Sequence, residues 1–395
     1  MRPRRFIALV TGWQVVASSC YYALFAAGPF VRETFGLSRF LVGLVVTTLT
    51  LGYTVMLLPS GAAVDAYGER PVLVGGLAAL AAGAVAVAVA PSVAVLFVAA
   101  LALGGAYATA MPASNRAIVA GIPADRQGVA LGLKQVGVTA GSGLSAVVVV
   151  NLAPSLATWD AGLLALGAAA ALVAGLFAVG YPHHPGSGTL SRPDFSGLAA
   201  NRAYVALVAA GFFLGAALFT TVGYLTLYLT ESVGVSAAVA GLGFALVQVT
   251  GSAGRVALGT AADALGRAAG WSGARAAAVL LTGQVGTGAL LLGVLALPLE
   301  FPPPVALAVV AAVGFTVLGF TGLYYTCMSA LVDDGTVGTA TAGGQTTLNA
   351  GALLAPPAFG WLADTLSYRA SWAMLAVATV IGTALVAVVG WHGGD

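Results

Sequence analysis

The amino-acid sequence predicts an all-α integral membrane protein, with twelve spanning helices arranged as two six-helix repeats. Three observations carry this: an apolar bulk with almost no charge, twelve separable apolar runs, and a polar pattern that recurs in the second half. Of 395 residues, 59% are hydrophobic and 7% charged, and the mean hydropathy is +0.99. An ordinary soluble domain carries about 25% charged residues. Fifteen Lys and Arg with thirteen Asp and Glu cannot cover a soluble globule of this length. Soluble enzymes, nucleic-acid binders and disordered scaffolds are excluded on that ground. The net charge of +2 is too small and scattered for a polybasic surface.

A spanning helix needs about 20 apolar residues. Charge and Pro/Gly punctuation divides the chain into runs at 6–30, 40–62, 71–91, 93–119, 128–153 and 159–181, then 203–229, 237–261, 274–298, 303–331, 339–363 and 370–391. Pro91 and Pro302-Pro303-Pro304 separate the two pairs that nearly merge. The ten-residue alternation of a β-barrel strand is absent. Arg4-Arg5-Phe6, followed later by Ala17-Ser18-Ser19-Cys20, faintly resembles an export or lipoprotein signal. The apolar run continues through Tyr21-Tyr22-Ala23-Leu24-Phe25, long enough for a first span. Cys20 and Cys327 both lie in apolar runs, so neither a disulfide framework nor a zinc site is expected. With the N-terminus cytoplasmic, Arg2, Arg4, Arg5, Arg70, Arg126, Arg192, Arg202, Arg267 and Arg275 lie inside, and only Arg32, Arg39 and Arg369 outside. The even span count then makes the C-terminus cytoplasmic too.

The chain repeats itself. At an offset of 198 residues, Gly36, Ser38, Gly43, Gly61, Asp65, Ala66 and Gly68 meet Gly234, Ser236, Gly241, Gly259, Asp263, Ala264 and Gly266. At an offset of 210, Gln135 and Gly141 meet Gln345 and Gly351, and Thr139 meets Asn349. The predicted organisation is an N-terminal six-helix bundle over 1–180, a cytoplasmic linker over 181–202 and a C-terminal bundle over 203–395. Two like-oriented halves of six spans suit a transporter.

At the end of span two the sequence reads Gly61-Ala-Ala-Val-Asp65-Ala-Tyr-Gly68-Glu-Arg70, and after span eight Gly259-Thr-Ala-Ala-Asp263-Ala-Leu-Gly266-Arg267. The first segment resembles the major facilitator superfamily signature Gly-x-x-x-Asp-(Arg/Lys)-x-Gly-x-(Arg/Lys), with Ala66 in place of the usual cation. The second falls where that family places a degenerate copy. The resemblance covers essentially the whole chain and implies a gating role for Gly61, Asp65, Gly68, Arg70, Gly259, Asp263, Gly266 and Arg267, the aspartate latching against a helix N-terminus of the other half. From the residues alone, Gly61 is expected to permit close helix packing and Gly68 a tight turn. The alternative is that Asp65 only terminates a span.

Polar side chains at lipid depth face a bundle interior or a wet cavity. Gln14, Ser18 and Tyr21 share one face of span one, and Gln135, Thr139 and Ser142 one face of span five. Gln345 and Asn349 are the repeat partners of the latter. With Gln248, Tyr324, Tyr325, Asn115 and the cations Arg116, Lys134 and Arg255, these are the candidate solute contacts. For each, the plainer alternative is an interhelical hydrogen bond or, for Arg116 and Lys134, snorkelling to headgroups.

No Asp or Glu lies in the middle of a span. Cations at depth without carboxylates point to an anionic solute. The expected function is secondary active transport of a small solute, an organic or inorganic anion, by alternating access in the cell membrane, with the lipid bilayer as surroundings. The resemblance implies a monomer. No cofactor, metal or nucleic acid is expected. A membrane enzyme is disfavoured, because His183, His184 and His392 lie outside the spans and no nucleophile–base pair is recognisable. A transporter-like sensor remains an alternative.

Overall fold

The twelve runs fold as helices, with a turn inside some of them. The computed structural model describes residues 3–122, 124–156, 158–182, 197–299, 301–332 and 337–392. In chain order the helices are α1 (Pro3–Ala26), α2 (Gly28–Phe35), α3 (Arg39–Tyr67), α4 (Glu69–Ala88), α5 (Val93–Tyr107), α6 (Ala110–Gly121), α7 (Ala124–Leu156) and α8 (Ala161–Gly180). They continue with α9 (Arg202–Glu231), α10 (Ala237–Ala269), α11 (Gly273–Ala296), α12 (Pro303–Val313), α13 (Thr321–Ala330), α14 (Val337–Thr365) and α15 (Tyr368–His392). Among the described residues there is no strand, and eleven stretches are long and apolar enough to cross a bilayer. The twelfth run falls on the 29-residue α14, whose Gln345, Thr346, Thr347, Asn349 and Pro356-Pro357 dilute its apolar character.

The chain forms two compact units. The first comprises Met1–Leu37, Val45–Ser191 and Ser236–Ala245, the second Ser38–Leu44, Arg192–Val235 and Leu246–Asp395. The starts of α3 and α10 thus each count with the unit of the opposite sequence half. Offset 198 maps one of these segments onto the other.

Within the first unit α1 packs along α7, and α4 along α8 and α5. Within the second, α9 packs along α14 and α15, and α11 along α15 and α13. The repeat is visible in how these pairs close. A Cβ at Gly141 of α7 would stand 2.3 Å from the Val15 carbonyl oxygen of α1, and one at its repeat partner Gly351 of α14 would stand 1.9 Å from that of Phe212 in α9. Only glycine lets these backbones meet, which is how helices in lipid gain contact.

Two runs read as continuous in the sequence are broken midway. Span four stops at Tyr107, turns at Ala108–Thr109 and resumes as α6. Span ten passes from α12 through a π-helical turn, Gly314–Leu318, and a second turn at Gly319–Phe320 into α13. At offset 210 the two breaks coincide to within one residue. In the π turn, the Phe315 carbonyl accepts from Gln284 Nε2 at 2.9 Å, and the Leu318 carbonyl from Arg255 Nε and Nη2, both at 3.4 Å. Side chains thus satisfy backbone groups that a regular helix would bond itself.

Candidate functional site

The first unit holds a buried polar core where α1, α5, α6 and α7 meet. Gln14 Nε2 donates to Ser18 Oγ at 3.1 Å, Ser18 Oγ lies 2.9 Å from the Tyr107 hydroxyl, and Ser114 Oγ donates to Gln14 Oε1 at 3.1 Å. The i, i+4 spacing in α1 thus serves a chain of hydrogen bonds running into both pieces of span four. Tyr21 stacks on Tyr107 with ring centroids 4.2 Å apart, and Tyr53 flanks them both. Lys134, on α7, is fully buried, with Nζ 2.7 Å from Asn115 Oδ1. Gln135 is exposed and Thr139 buried, so the predicted span-five stripe divides.

In the second unit a directional chain runs from α13 into α14. The Tyr325 hydroxyl donates to Gln345 Oε1 at 2.5 Å, and Gln345 Nε2 to Asn349 Oδ1 at 2.8 Å. It ends in a donor, because Asn349 Nδ2 is buried without a hydrogen-bond partner among the described residues; Gln248 Nε2 is in the same position. Tyr324 is buried, its hydroxyl 3.5 Å from the Gly344 carbonyl. Arg255 reaches the π turn as described. Asp333 and Asp334, the acids that follow span ten in the sequence, lie outside the described residues, as do His183 and His184.

The signature segment builds an ion cluster inside the first unit. Arg116 lies 3.8 Å from Asp65 and 3.6 Å from the fully buried Glu69. Arg70 donates to the Ala178 carbonyl of α8 at 2.5 Å. Burial, and then the Glu69 carboxylate, hold the Tyr181 phenol above its ordinary range. Gly68 makes the tight turn between α3 and α4 at φ 81°. The close packing expected at Gly61 is not found, because a Cβ there, or at Gly259, would meet nothing within 4 Å. The second copy is built differently. Asp263 and Arg267 are exposed, and α10 runs through Gly266 to turn at Gly270, φ 64°. The offsets explain the asymmetry: Glu69 corresponds to Arg267 and Arg116 to Thr326.

A third cluster, not anticipated from the sequence, lies in the second unit at the start of α3. Arg39 pairs with Glu231 at 2.8 Å and with Asp364 at 3.5 Å, and sits 4.9 Å over the Tyr368 ring. Asp364 accepts the backbone N–H groups of Arg39 and Phe40 at 3.1 and 2.9 Å, and the Tyr368 hydroxyl donates to Glu231 at 2.9 Å. Tyr224 donates to the Arg39 carbonyl. One signal was available, since Gly360-Trp-Leu-Ala-Asp364 repeats the Gly-x-x-x-Asp spacing of the signature.

A family model described as Major Facilitator Superfamily matches residues 12–286. The chain belongs to the Major Facilitator Superfamily. As a member it is a multi-pass membrane protein of the secondary-transporter type, working on a small-molecule solute in a lipid surround. Solved structures agree on the fold. A bacterial homologue of the human lysosomal transporter Spinster, inward-facing and unoccupied, matches with TM-score 0.81 and 15% identity over 98% of this chain and 97% of that one. Its occupied form gives 0.77 and 16% over 97% and 96%. A variant of the nucleoside transporter NupG gives 0.79 and 14% over 97% and 99%. Identities this low speak for the fold alone. No curated protein matches the chain.

Proposed function

We propose that this superfamily member moves a small anionic solute, an organic carboxylate or inorganic anion, by alternating access, as a monomer in the cell membrane with both termini cytoplasmic. The observation that carries the reading is the charge balance at depth. Lys134 is fully buried, and its Nζ bonds an amide oxygen and a thioether sulfur. The carboxylates Asp65 and Glu69 stand at the α3–α4 junction beside Arg116. A buried cation with neutral partners is costly, and an anion offsets that cost. The unpartnered donors of Asn349 and Gln248 support an acceptor-rich solute. Gln14, Tyr21, Asn115, Lys134, Gln135, Thr139, Gln248, Arg255, Tyr324, Tyr325, Gln345 and Asn349 are the proposed solute contacts. Arg116 joins them only if it leaves its acids. Asp65 and Asp263 are the proposed gate residues.

The test is flux in proteoliposomes against small carboxylates, inorganic anions, sugars, amino acids and nucleosides. Saturable anion flux that weakens in Arg255→Gln is the expected result. A neutral or cationic solute overturns the anion reading, and binding without flux identifies a sensor. Asp65→Asn and Asp263→Asn are expected to slow flux while membrane insertion stays intact, and wild-type flux in both removes the gate assignment.

A further inference from the structure

Lys134 is the sole lysine of the chain, and it is fully buried. Its Nζ has two partners among the described residues, Asn115 Oδ1 at 2.7 Å and Met111 Sδ at 3.4 Å, both on α6 and neither charged. An ammonium offers three N–H donors and no lone pair, whereas a neutral amine offers two N–H donors and one lone pair. Two acceptors therefore saturate the amine and leave one N–H of the ammonium unmatched on a buried side chain. Charge on this nitrogen calls for a further acceptor, brought by water or by an anion.

Among the described side chains, the ionisable groups on the surrounding helices do not supply it. On α6, Arg116 adjoins Asn115 but is a cation and engages Asp65 and Glu69. α1 carries Arg4, Arg5, Cys20, Tyr21 and Tyr22, and it meets α7 near Lys134 through the Thr11 carbonyl and the Gln14 side chain, both against Gly137. α8 has no ionisable residue; Tyr181 follows its end. On α7 itself, Asp125 and Arg126 lie nine and eight residues earlier, roughly 12–14 Å along the axis.

We propose that Lys134 carries the coupling proton of the transport cycle. The nitrogen is a neutral amine when the site is empty and an ammonium when the anionic solute is bound. On loading, the nitrogen lone pair takes a proton from water to form the third N–H bond. On release that bond breaks, the pair stays on nitrogen and the proton returns to water. A monovalent anion and its proton thus cross together without net charge, and each strengthens the binding of the other by the same factor. The solute's charge rests on the anion reading above; the proton site does not.

A single lysine makes the test direct, because full-length protein labelled with [15N]lysine gives one Nζ resonance. Purified protein is titrated with acetate, succinate, nitrate and phosphate in turn, with proton uptake followed in weakly buffered solution. The expected result is an amine signal without the probe, an ammonium signal with the bound one, and one proton taken up per anion. Lys134→Arg should take up no proton with any anion that it binds, whatever its affinity. An Nζ signal that stays ammonium from weakly acid to weakly alkaline pH overturns the proposal, a result read on wild-type protein even if the variant misfolds. So does proton uptake that persists in Lys134→Arg. If no anion binds and a neutral solute is transported, the anion reading falls alone. The proton site then stands or falls on whether that solute's flux carries protons that Lys134→Arg does not.

Discussion

Replacing Asp364 should unfasten the first turn of α3. That turn is held by two side chains: Ser38 Oγ accepts the Leu41 N–H at 3.2 Å, and the Asp364 carboxylate accepts those of Arg39 and Phe40 at 3.1 and 2.9 Å. Losing a helix cap costs about 0.5–2 kcal/mol, and a carboxylate at the positive end of a helix adds about 0.3–1 kcal/mol. Asp364 is 24% exposed and satisfies two donors, so Asp364→Ala should cost about 2 kcal/mol. Asp364→Asn keeps an acceptor and loses the charge, for about 1 kcal/mol. At 1.4 kcal/mol per decade these become about 30-fold and 5-fold faster amide exchange. Hydrogen–deuterium exchange of a peptide covering 38–44 measures this. Arg39→Gln is the contrast: it removes partly exposed ion pairs (side chains 26%, 18% and 24% exposed) worth about 0–1 kcal/mol each, and it leaves the caps in place. Unchanged exchange in Asp364→Ala, or equal loss in the Asn and Ala variants, would refute the capping argument.

Arg116→Gln should lower thermal stability more than Glu69→Gln does, because it takes the cation away from a buried carboxylate while the second change neutralises that carboxylate. Removing one partner of a buried pair costs about 3–5 kcal/mol, and the 27% exposure of Arg116 puts this case below that range. Equal melting temperatures would show that the pair is not coupled. Gly141→Ala and Gly351→Ala should each reduce the monodisperse fraction in size-exclusion chromatography, since overpacking costs about 1–3 kcal/mol. Gly61→Ala, with open space around it, should elute as wild type. Cysteines at Ser38 and Ser191 should react with an impermeant thiol reagent from opposite sides of the membrane; labelling of both from one side of intact cells would overturn the cytoplasmic termini.

Much of the architecture was legible because lipid imposes simple rules. Length and hydropathy locate the spans, and Gln135/Gln345 with Gly141/Gly351 mark the repeat whose glycines close α1 on α7 and α9 on α14. The breaks in spans four and ten were not legible, because an averaged apolar run does not register a turn at Ala108–Thr109 or an extra residue in Gly314–Leu318. Of the polar stripes, Gln14 with Ser18 and Gln345 with Asn349 proved to be hydrogen-bonded pairs, while Gln135 stands exposed. The role of Glu69 is not legible although it lies inside the signature, since its pairing with Arg116 spans 47 residues and depends on the bend that places α6 beside α3 and α4. Glu231 gave no sign at all: one acid at the end of an apolar helix acquires meaning only through Arg39, which is 192 residues away.

The π turn of span ten amounts to a one-residue insertion that evolution can add or delete in a single step. Each residue of an α-helix advances the chain by 100° and 1.5 Å, so an insertion that was not absorbed would swing everything beyond it through about that angle. The wide turn absorbs the extra residue, and deleting one residue within Gly314–Leu318 would restore a regular helix with Tyr325 still facing Gln345. The Phe315 and Leu318 carbonyls would return to their own helix, and Gln284 and Arg255 would each lose the acceptor that the turn offers them. A lineage that lost the codon would keep its hydropathy profile, its fold and the link from Tyr325 to Asn349, while closing off those two carbonyls to the neighbouring helices.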